Sequence, residues 1–148
     1  MKDDRLRIPV ESNYIEALGR AAYSFASLEW QVVWCLEKIR PNDIRKVVGE
    51  EMTAGKIGNR FQNAVRSMPK SPEREQLQNL ASEFLQLVQV RNNIMHGKPC
   101  TSPKGEQRLS GSSVIEIVDL ENAADDFVDC SCKLNDFFYG FLSSYSGK

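Results

Sequence analysis

Arg91, Asn92 and His96 bring together three side chains that can handle a phosphate group. His96 is the only histidine of the chain, and an imidazole can give or take a proton near neutral pH. The guanidinium of Arg91 can stabilise the negative charge that develops on a phosphate under attack, and the Asn92 carboxamide can orient the phosphate or the imidazole. The three residues therefore predict a site of acid–base chemistry on a phosphate.

A long predicted helix carries these three residues close to its end. The helix begins at residues 71–73, where a capping serine is followed by proline and an acid, and it ends at Gly97. At 100° per residue, Asn92 and His96 lie one turn apart on a shared face, while Arg91 lies about 140° from His96. The arginine side chain is long enough to bring its head toward that face.

Two charged residues fall on apolar stripes of predicted helices. Arg91 lies at the centre of the apolar stripe of the helix that begins at residues 71–73. Glu29 lies inside the apolar stripe of the first helix, residues 13–40. A charge at a core-facing position is costly unless it is paired. We predict that the two helices pack together and that Glu29 forms an ion pair with Arg91, which makes Glu29 a supporting residue of the site. The alternative is that one of the two lies at the edge of its stripe and reaches water.

Apolar residues recur every three or four positions over most of the chain, which predicts an all-α fold of four or five helices in one bundle. Residues 98–112 predict a polar loop. Within the same region, residues 107–109 and 114–118 could pair as a short β-hairpin before the last helix. Four residues are predicted to cap helices at their N-termini: Asn13, Thr53, Ser71 and Asp119.

The composition fits one domain over residues 1–148, with 41% hydrophobic residues and a net charge of −1. This charge argues against a protein that binds nucleic acid through bulk positive charge, but it does not exclude an enzyme that touches a few phosphates. The start of the chain lacks the apolar segment of a signal peptide, and no apolar run is long enough to cross a bilayer. We therefore expect a cytoplasmic protein with no membrane partner.

We predict that the cysteines are reduced thiols that fill apolar space, because no second histidine or cysteine pair completes a zinc site. We therefore expect no metal and no cofactor. The four residues concerned are Cys35, Cys100, Cys130 and Cys132.

Three basic residues follow His96 in the predicted polar loop, namely Lys98, Lys104 and Arg108. Positive charges next to a phosphate site can guide a polyanion toward it. These residues are therefore candidates for guiding a substrate, and the alternative is that they belong to an ordinary solvated loop.

Tyr23, Trp30 and Trp34 form an aromatic stripe on the first helix, away from its main apolar stripe. A helix that is apolar on two sides packs on two sides. We expect another helix of the same chain to cover the aromatic stripe. A partner subunit is the alternative, since aromatic residues are common at interfaces.

The Arg-x4-His spacing, with asparagine directly after the arginine and glycine directly after the histidine, resembles the signature of HEPN domains, the higher eukaryotes and prokaryotes nucleotide-binding family. Arg91, Asn92, His96 and Gly97 are the residues that match. The resemblance implies an all-α bundle with the motif at the end of a long helix. It also implies a metal-independent endoribonuclease that acts as a homodimer, with both motifs lining one cleft and a second His96 available for proton transfer.

The resemblance further implies RNA as the substrate, a role in toxin–antitoxin or phage defence, and an antitoxin or another protein as a partner. Lys98 stands where some family toxins carry a tyrosine that a partner modifies, so this form of control is not expected here. Many HEPN-like domains no longer cut RNA, and the alternative function is a catalytically inactive module that binds RNA, a nucleotide or a protein. Two simpler interpretations stay open: a helical interaction protein that docks through the aromatic stripe, and an arginine and histidine with structural roles only.

Overall fold

The computed structural model describes residues 2–145, which form five α-helices, two short 3-10 helices and a three-stranded antiparallel sheet. The predicted all-α bundle with a small hairpin before its last helix is confirmed. The α-helices are α1 (Ser12–Ile39), α2 (Asp43–Gly49), α3 (Ala54–Arg66), α4 (Pro72–Met95) and α5 (Ile117–Tyr139). The strands, in the order β1-β2-β3, are β1 (Lys98–Thr101), β2 (Gln107–Ser110) and β3 (Val114–Ile115), and the 3-10 helices are Asp4–Arg7 and Phe141–Ser144.

Two predicted caps are confirmed, and they fix the starts of α3 and α4. The Ser71 hydroxyl accepts a hydrogen bond from the backbone N–H of Arg74 at 3.0 Å, and proline occupies the first turn of α4. The Thr53 hydroxyl accepts from the backbone N–H of Lys56 at 3.3 Å. Each bond satisfies an N–H group that has no partner within its own helix.

The two other predicted caps are wrong. Helix α1 begins at Ser12, so Asn13 lies inside its first turn instead of preceding it. Helix α5 begins at Ile117 after Glu116, whose backbone N–H donates to the Asp119 carboxylate at 2.8 Å. Asp119 is therefore the reciprocal acid of a capping box, because the preceding strand ends at Ile115 and the helix starts three residues sooner than predicted.

Three phenylalanines mark the place where α1, α4 and α5 meet in the core. The Phe25 ring stacks with Phe84 at 5.9 Å between centroids, and it meets Phe127 edge-on at 5.1 Å. All three side chains are buried, and burial of each contributes roughly 1.5–3 kcal/mol. This cluster holds the middle of α4 against α1, which sets the position of the helix turns that follow it.

The segment after α4 departs from the predicted polar loop of residues 98–112, because part of it is strand. Strand β1 pairs with β2 in the register Pro99↔Leu109, and β2 pairs with β3 in the register Leu109↔Ile115. The predicted hairpin is thus present, and β1 extends it by a third strand. Strand β1 has no alternation of apolar and polar residues, so its pairing with β2 had no sequence signal.

Tyr14 fastens this sheet to the first turns of α1. Its side chain is 1% exposed, and its hydroxyl donates to the carbonyl oxygen of Ile115 at 2.8 Å. The same hydroxyl accepts from the backbone N–H of Leu109 at 3.0 Å. The hydroxyl therefore bridges a donor and an acceptor that belong to one register pair of β2 and β3.

Candidate functional site

His96 lies at the C-terminal cap of α4, where the structure leaves its side chain open to solvent. Its backbone N–H donates to the carbonyl oxygen of Asn92 at 2.9 Å, which keeps the last turn helical. The side chain of His96 is exposed, and no group within residues 2–145 forms a hydrogen bond with the imidazole. Asn92 is half-buried one turn earlier. The imidazole is therefore free to meet a ligand.

Arg91 lies against the core at the contact between α4 and α1. The central carbon of its guanidinium is 4.7 Å from the centroid of the Phe25 ring, a cation–π contact. Its Nε atom is buried and has no hydrogen-bond partner among the described residues. A buried donor without a partner costs about 1–3 kcal/mol, and such groups are rare outside functional sites or water-binding positions. Arg91 is therefore held in place more by the aromatic ring than by hydrogen bonds.

The predicted ion pair between Glu29 and Arg91 is not formed in the part of the chain that the structure describes. The two helices do pack together, and Glu29 is half-buried near Arg91. Burial raises the pKa of Glu29, and the charge of Arg91 lowers it by less. The direct pair is absent because the face of Phe25, one turn before Glu29, takes the guanidinium instead.

Asn93 links the end of α4 to the turn between β2 and β3, a role that the sequence did not indicate. Its side-chain oxygen accepts a hydrogen bond from the backbone N–H of Ser112 at 3.2 Å. Gly111 packs so closely on it that an added Cβ would overlap the Asn93 side chain. A Cβ at position 111 would push the Asn93 carboxamide aside and break its hydrogen bond to Ser112. Asn93 positions the helix end that carries Asn92 and His96.

Two of the three predicted guiding cations remain available to a ligand. Lys98 is exposed on β1, two residues after His96, and Lys104 is exposed in the turn between β1 and β2. Both follow the end of α4 in the chain. Their guiding role stays a prediction.

Arg108 does not fit the guiding role, because it is buried. Its guanidinium nitrogens lie 2.7 Å from Glu106, 3.3 Å from Glu116 and 3.6 Å from Glu11. The guanidinium also lies 4.8 Å from the centroid of the Tyr14 ring. Although desolvation opposes its charge, these carboxylates raise the pKa of Arg108. Arg108 is a structural cation that joins the sheet to the starts of α1 and α5.

The aromatic stripe stays uncovered within residues 2–145, so the expected intrachain packing is wrong. Tyr23 is 80% exposed, Trp30 is 47% exposed and Trp34 is 48% exposed. Residues of α5 border the stripe beside Tyr23 and beside Trp34, but they leave these side chains about half exposed or more.

The cysteine thiols and the possible metal-binding side chains are the other groups of chemical interest among the described residues. Cys35 and Cys130 are buried free thiols, and burial raises the pKa of each to about 12, which suits apolar filler. Over residues 2–145, no group of three His, Cys, Asp or Glu side chains is arranged to hold a metal ion. None of the helices in the same range has the length and apolarity that a membrane span requires.

Comparisons with known proteins assign no family to the chain. No family model matches it, and no curated protein or solved structure matches it either. The HEPN resemblance therefore rests on Arg91, Asn92 and His96 and on their place at the end of α4.

Proposed function

We propose that this protein is a HEPN-like, metal-independent endoribonuclease whose site consists of Arg91, Asn92 and His96. The observation that carries the proposal is the state of His96, an exposed imidazole without a partner in residues 2–145, at the end of a long helix that also carries Arg91. An imidazole in this setting can exchange protons with a ligand. The bundle of this size, with the motif in this place, also agrees with what the resemblance implies.

The chemistry that these groups can support is transesterification of RNA. The 2′-hydroxyl oxygen forms a bond to the adjacent phosphorus as its proton passes to a base. The bond from phosphorus to the 5′-oxygen breaks as that oxygen takes a proton from an acid, which leaves a 2′,3′-cyclic phosphate. His96 would serve as base or acid, Arg91 would stabilise the charge on the phosphorus centre, and Asn92 would orient the phosphate or the imidazole.

A homodimer completes this proposal, because one chain carries a single histidine. A two-fold axis would bring a second His96 to the cleft, so that one imidazole acts as base and the other as acid. We place such an enzyme in the cytoplasm, in toxin–antitoxin or phage defence, with an antitoxin as its protein partner. Glu29 would support the site through its charge near Arg91.

One observation favours the alternative, a catalytically inactive module that binds RNA, a nucleotide or a protein. The guanidinium of Arg91 is engaged with Phe25 and lies near Glu29, so part of its charge is used inside the protein. A site with a committed arginine can still bind a phosphate but stabilises a transition state less well.

Incubation of the purified chain with mixed RNA in EDTA tests the proposal. We expect cleavage with 2′,3′-cyclic phosphate ends by the wild type and by Gln89→Ala, a control at an exposed position of α4. His96→Ala should cleave about 100-fold more slowly or not at all, because general acid–base catalysis contributes at least this much. A folded His96→Ala variant with full activity would refute the enzyme. No cleavage by any of the three, together with RNA binding in fluorescence anisotropy, would favour the binding module.

A further inference from the structure

The middle of the chain is basic although the protein as a whole is not. From Arg40 to Arg74 the chain carries eight Lys and Arg residues and four Asp and Glu residues, a net charge of +4 in a protein of net charge −1. This stretch runs from the C-cap residue of α1 through all of α2 and α3 to the start of α4. Positive charge concentrated on one part of a near-neutral protein is the electrostatic footprint of a polyanion site.

A pocket of about 290 Å³ lies within this basic region, between the end of α1 and one face of α3. Four of its lining residues follow the spacing i, i+3, i+4 and i+7, so they share one face of α3. Among the residues that the structure describes, no carboxylate lines it. The lining residues are Arg40, Met52, Lys56, Asn59, Arg60 and Asn63.

The guanidinium of Arg60, which lines this pocket, is fixed in orientation by Asp43. Arg60 donates from Nε to Asp43 at 2.8 Å and from Nη2 to the other carboxylate oxygen at 3.0 Å. Asp43 is 4% exposed and the Arg60 side chain is 25% exposed, so this bidentate pair is partly shielded from water and holds the guanidinium plane. The third nitrogen of Arg60 forms no hydrogen bond with any residue in the range 2–145. Arg60 therefore keeps donors to offer to a ligand.

The remaining groups of the pocket supply matching donors. Lys56 and Arg40 form no ion pair with any of the described residues, and the side-chain amides of Asn59 and Asn63 are also without hydrogen bonds there. Three cations and two carboxamides around one cavity suit an anion with several acceptor oxygens. Besides Asp43, the Glu50 carboxylate acts on Arg60 through space.

We propose that this pocket binds a phosphate group, either from the backbone of an RNA or from a small phosphate-bearing molecule. The proposal does not depend on the proposed ribonuclease, because none of Arg91, Asn92 and His96 lines the pocket. A phosphate here would bridge the end of α1 to α3 through Arg40 and Lys56, on the part of the surface that already carries the positive charge.

Amide chemical shifts of the full chain, followed by NMR during titration, test this proposal. The two probes are inorganic phosphate and a short single-stranded RNA. We expect both to move the amides of Lys56, Asn59 and Asn63. Lys56→Gln should weaken phosphate binding by roughly tenfold, because a charge-assisted hydrogen bond is lost. Glu50→Gln should strengthen phosphate binding. Lys133→Gln removes one positive charge, as Lys56→Gln does, but at an exposed position of α5, and it should leave phosphate binding unaltered.

The RNA arm identifies the source of the phosphate. If the pocket holds an RNA phosphate, Lys56→Gln lowers the salt dependence of RNA binding by about 0.7 in the slope of log K against log salt. If RNA binding is unchanged while phosphate binding weakens, the ligand is a small phosphate-bearing molecule. The proposal is overturned if neither probe moves the α3 amides at millimolar concentration, or if Lys56→Gln and Lys133→Gln behave alike. RNA cleavage by a Lys56→Gln variant reports separately on the His96 site.

Discussion

Replacing Tyr14 with phenylalanine removes one oxygen atom and two hydrogen bonds at once. The ring stays, so its packing and its contact with Arg108 are retained. The backbone N–H of Leu109 and the carbonyl oxygen of Ile115 lose their partner. An unpaired buried polar group costs about 1–3 kcal/mol. Ile115 is buried, but Leu109 is half-buried and can regain some hydration, so we expect a loss of about 2–4 kcal/mol.

Urea denaturation followed by circular dichroism measures this loss directly. For a chain of this size the loss corresponds to a fall of about 6–12 °C in melting temperature. Tyr23→Phe is the matched control, because Tyr23 is 80% exposed, and it should stay within about 0.5 kcal/mol of the wild type. Hydrogen exchange adds a local readout: the Leu109 amide should lose protection in Tyr14→Phe. A stability within about 0.5 kcal/mol of wild type, or an unchanged Leu109 amide, would show that the bridge has no energetic role.

Two further substitutions test the surroundings of the site. Burial raises the pKa of Glu29 more than Arg91 lowers it, so the folded state favours the protonated carboxyl group. The pKa of Glu29 in the unfolded chain is near 4.5. The resulting stabilisation is full below this pH and is lost as the pH rises through the pKa of the folded state. Glu29→Gln should therefore gain free energy of unfolding relative to wild type between pH 4.5 and 7 in urea titrations; a falling difference contradicts this. Gly111→Ala should cost about 0.5–1.5 kcal/mol, because its Cβ would displace the Asn93 carboxamide and break its hydrogen bond to Ser112. Gly19→Ala on the open face of α1 should instead stabilise by about 0.5–1 kcal/mol; equal effects of the two substitutions would refute the close packing at Gly111.

The helices could be predicted because their signals are local. Thr53 and the Ser71-Pro72 pair each predict the start of a helix to within a few residues. The recurrence of apolar residues indicates which face of each helix is buried. Phe25 fits this recurrence and is buried. Ile15 fits it as well, yet it is exposed and its neighbour Tyr14 is buried instead. Tyr14 is buried because the sheet satisfies its hydroxyl, and the sheet lies far away in sequence.

The candidate site was predictable in position but not in its contacts. The pattern around His96 placed the residue at the end of α4, and the structure has it there. The partner of Arg91 could not be derived, since a guanidinium that faces the core can be stabilised by a carboxylate or by an aromatic face. Arg108 was likewise predicted to be a free cation in a loop, because the sequence does not show which carboxylates approach it. Its carboxylates at Glu11 and Glu116 approach it only when α1, the sheet and α5 are assembled.

The bridge made by Tyr14 also constrains the order in which the chain folds. The hydrogen bonds of its hydroxyl join residues separated by 101 and 95 positions in the sequence. A sheet of three strands this short is not stable alone, so it must wait for α1 to dock. Closing so long a loop is slow compared with forming the helices. During synthesis, the start of α1 leaves the ribosome long before its anchor exists, and the sheet that follows His96 is among the last elements to settle.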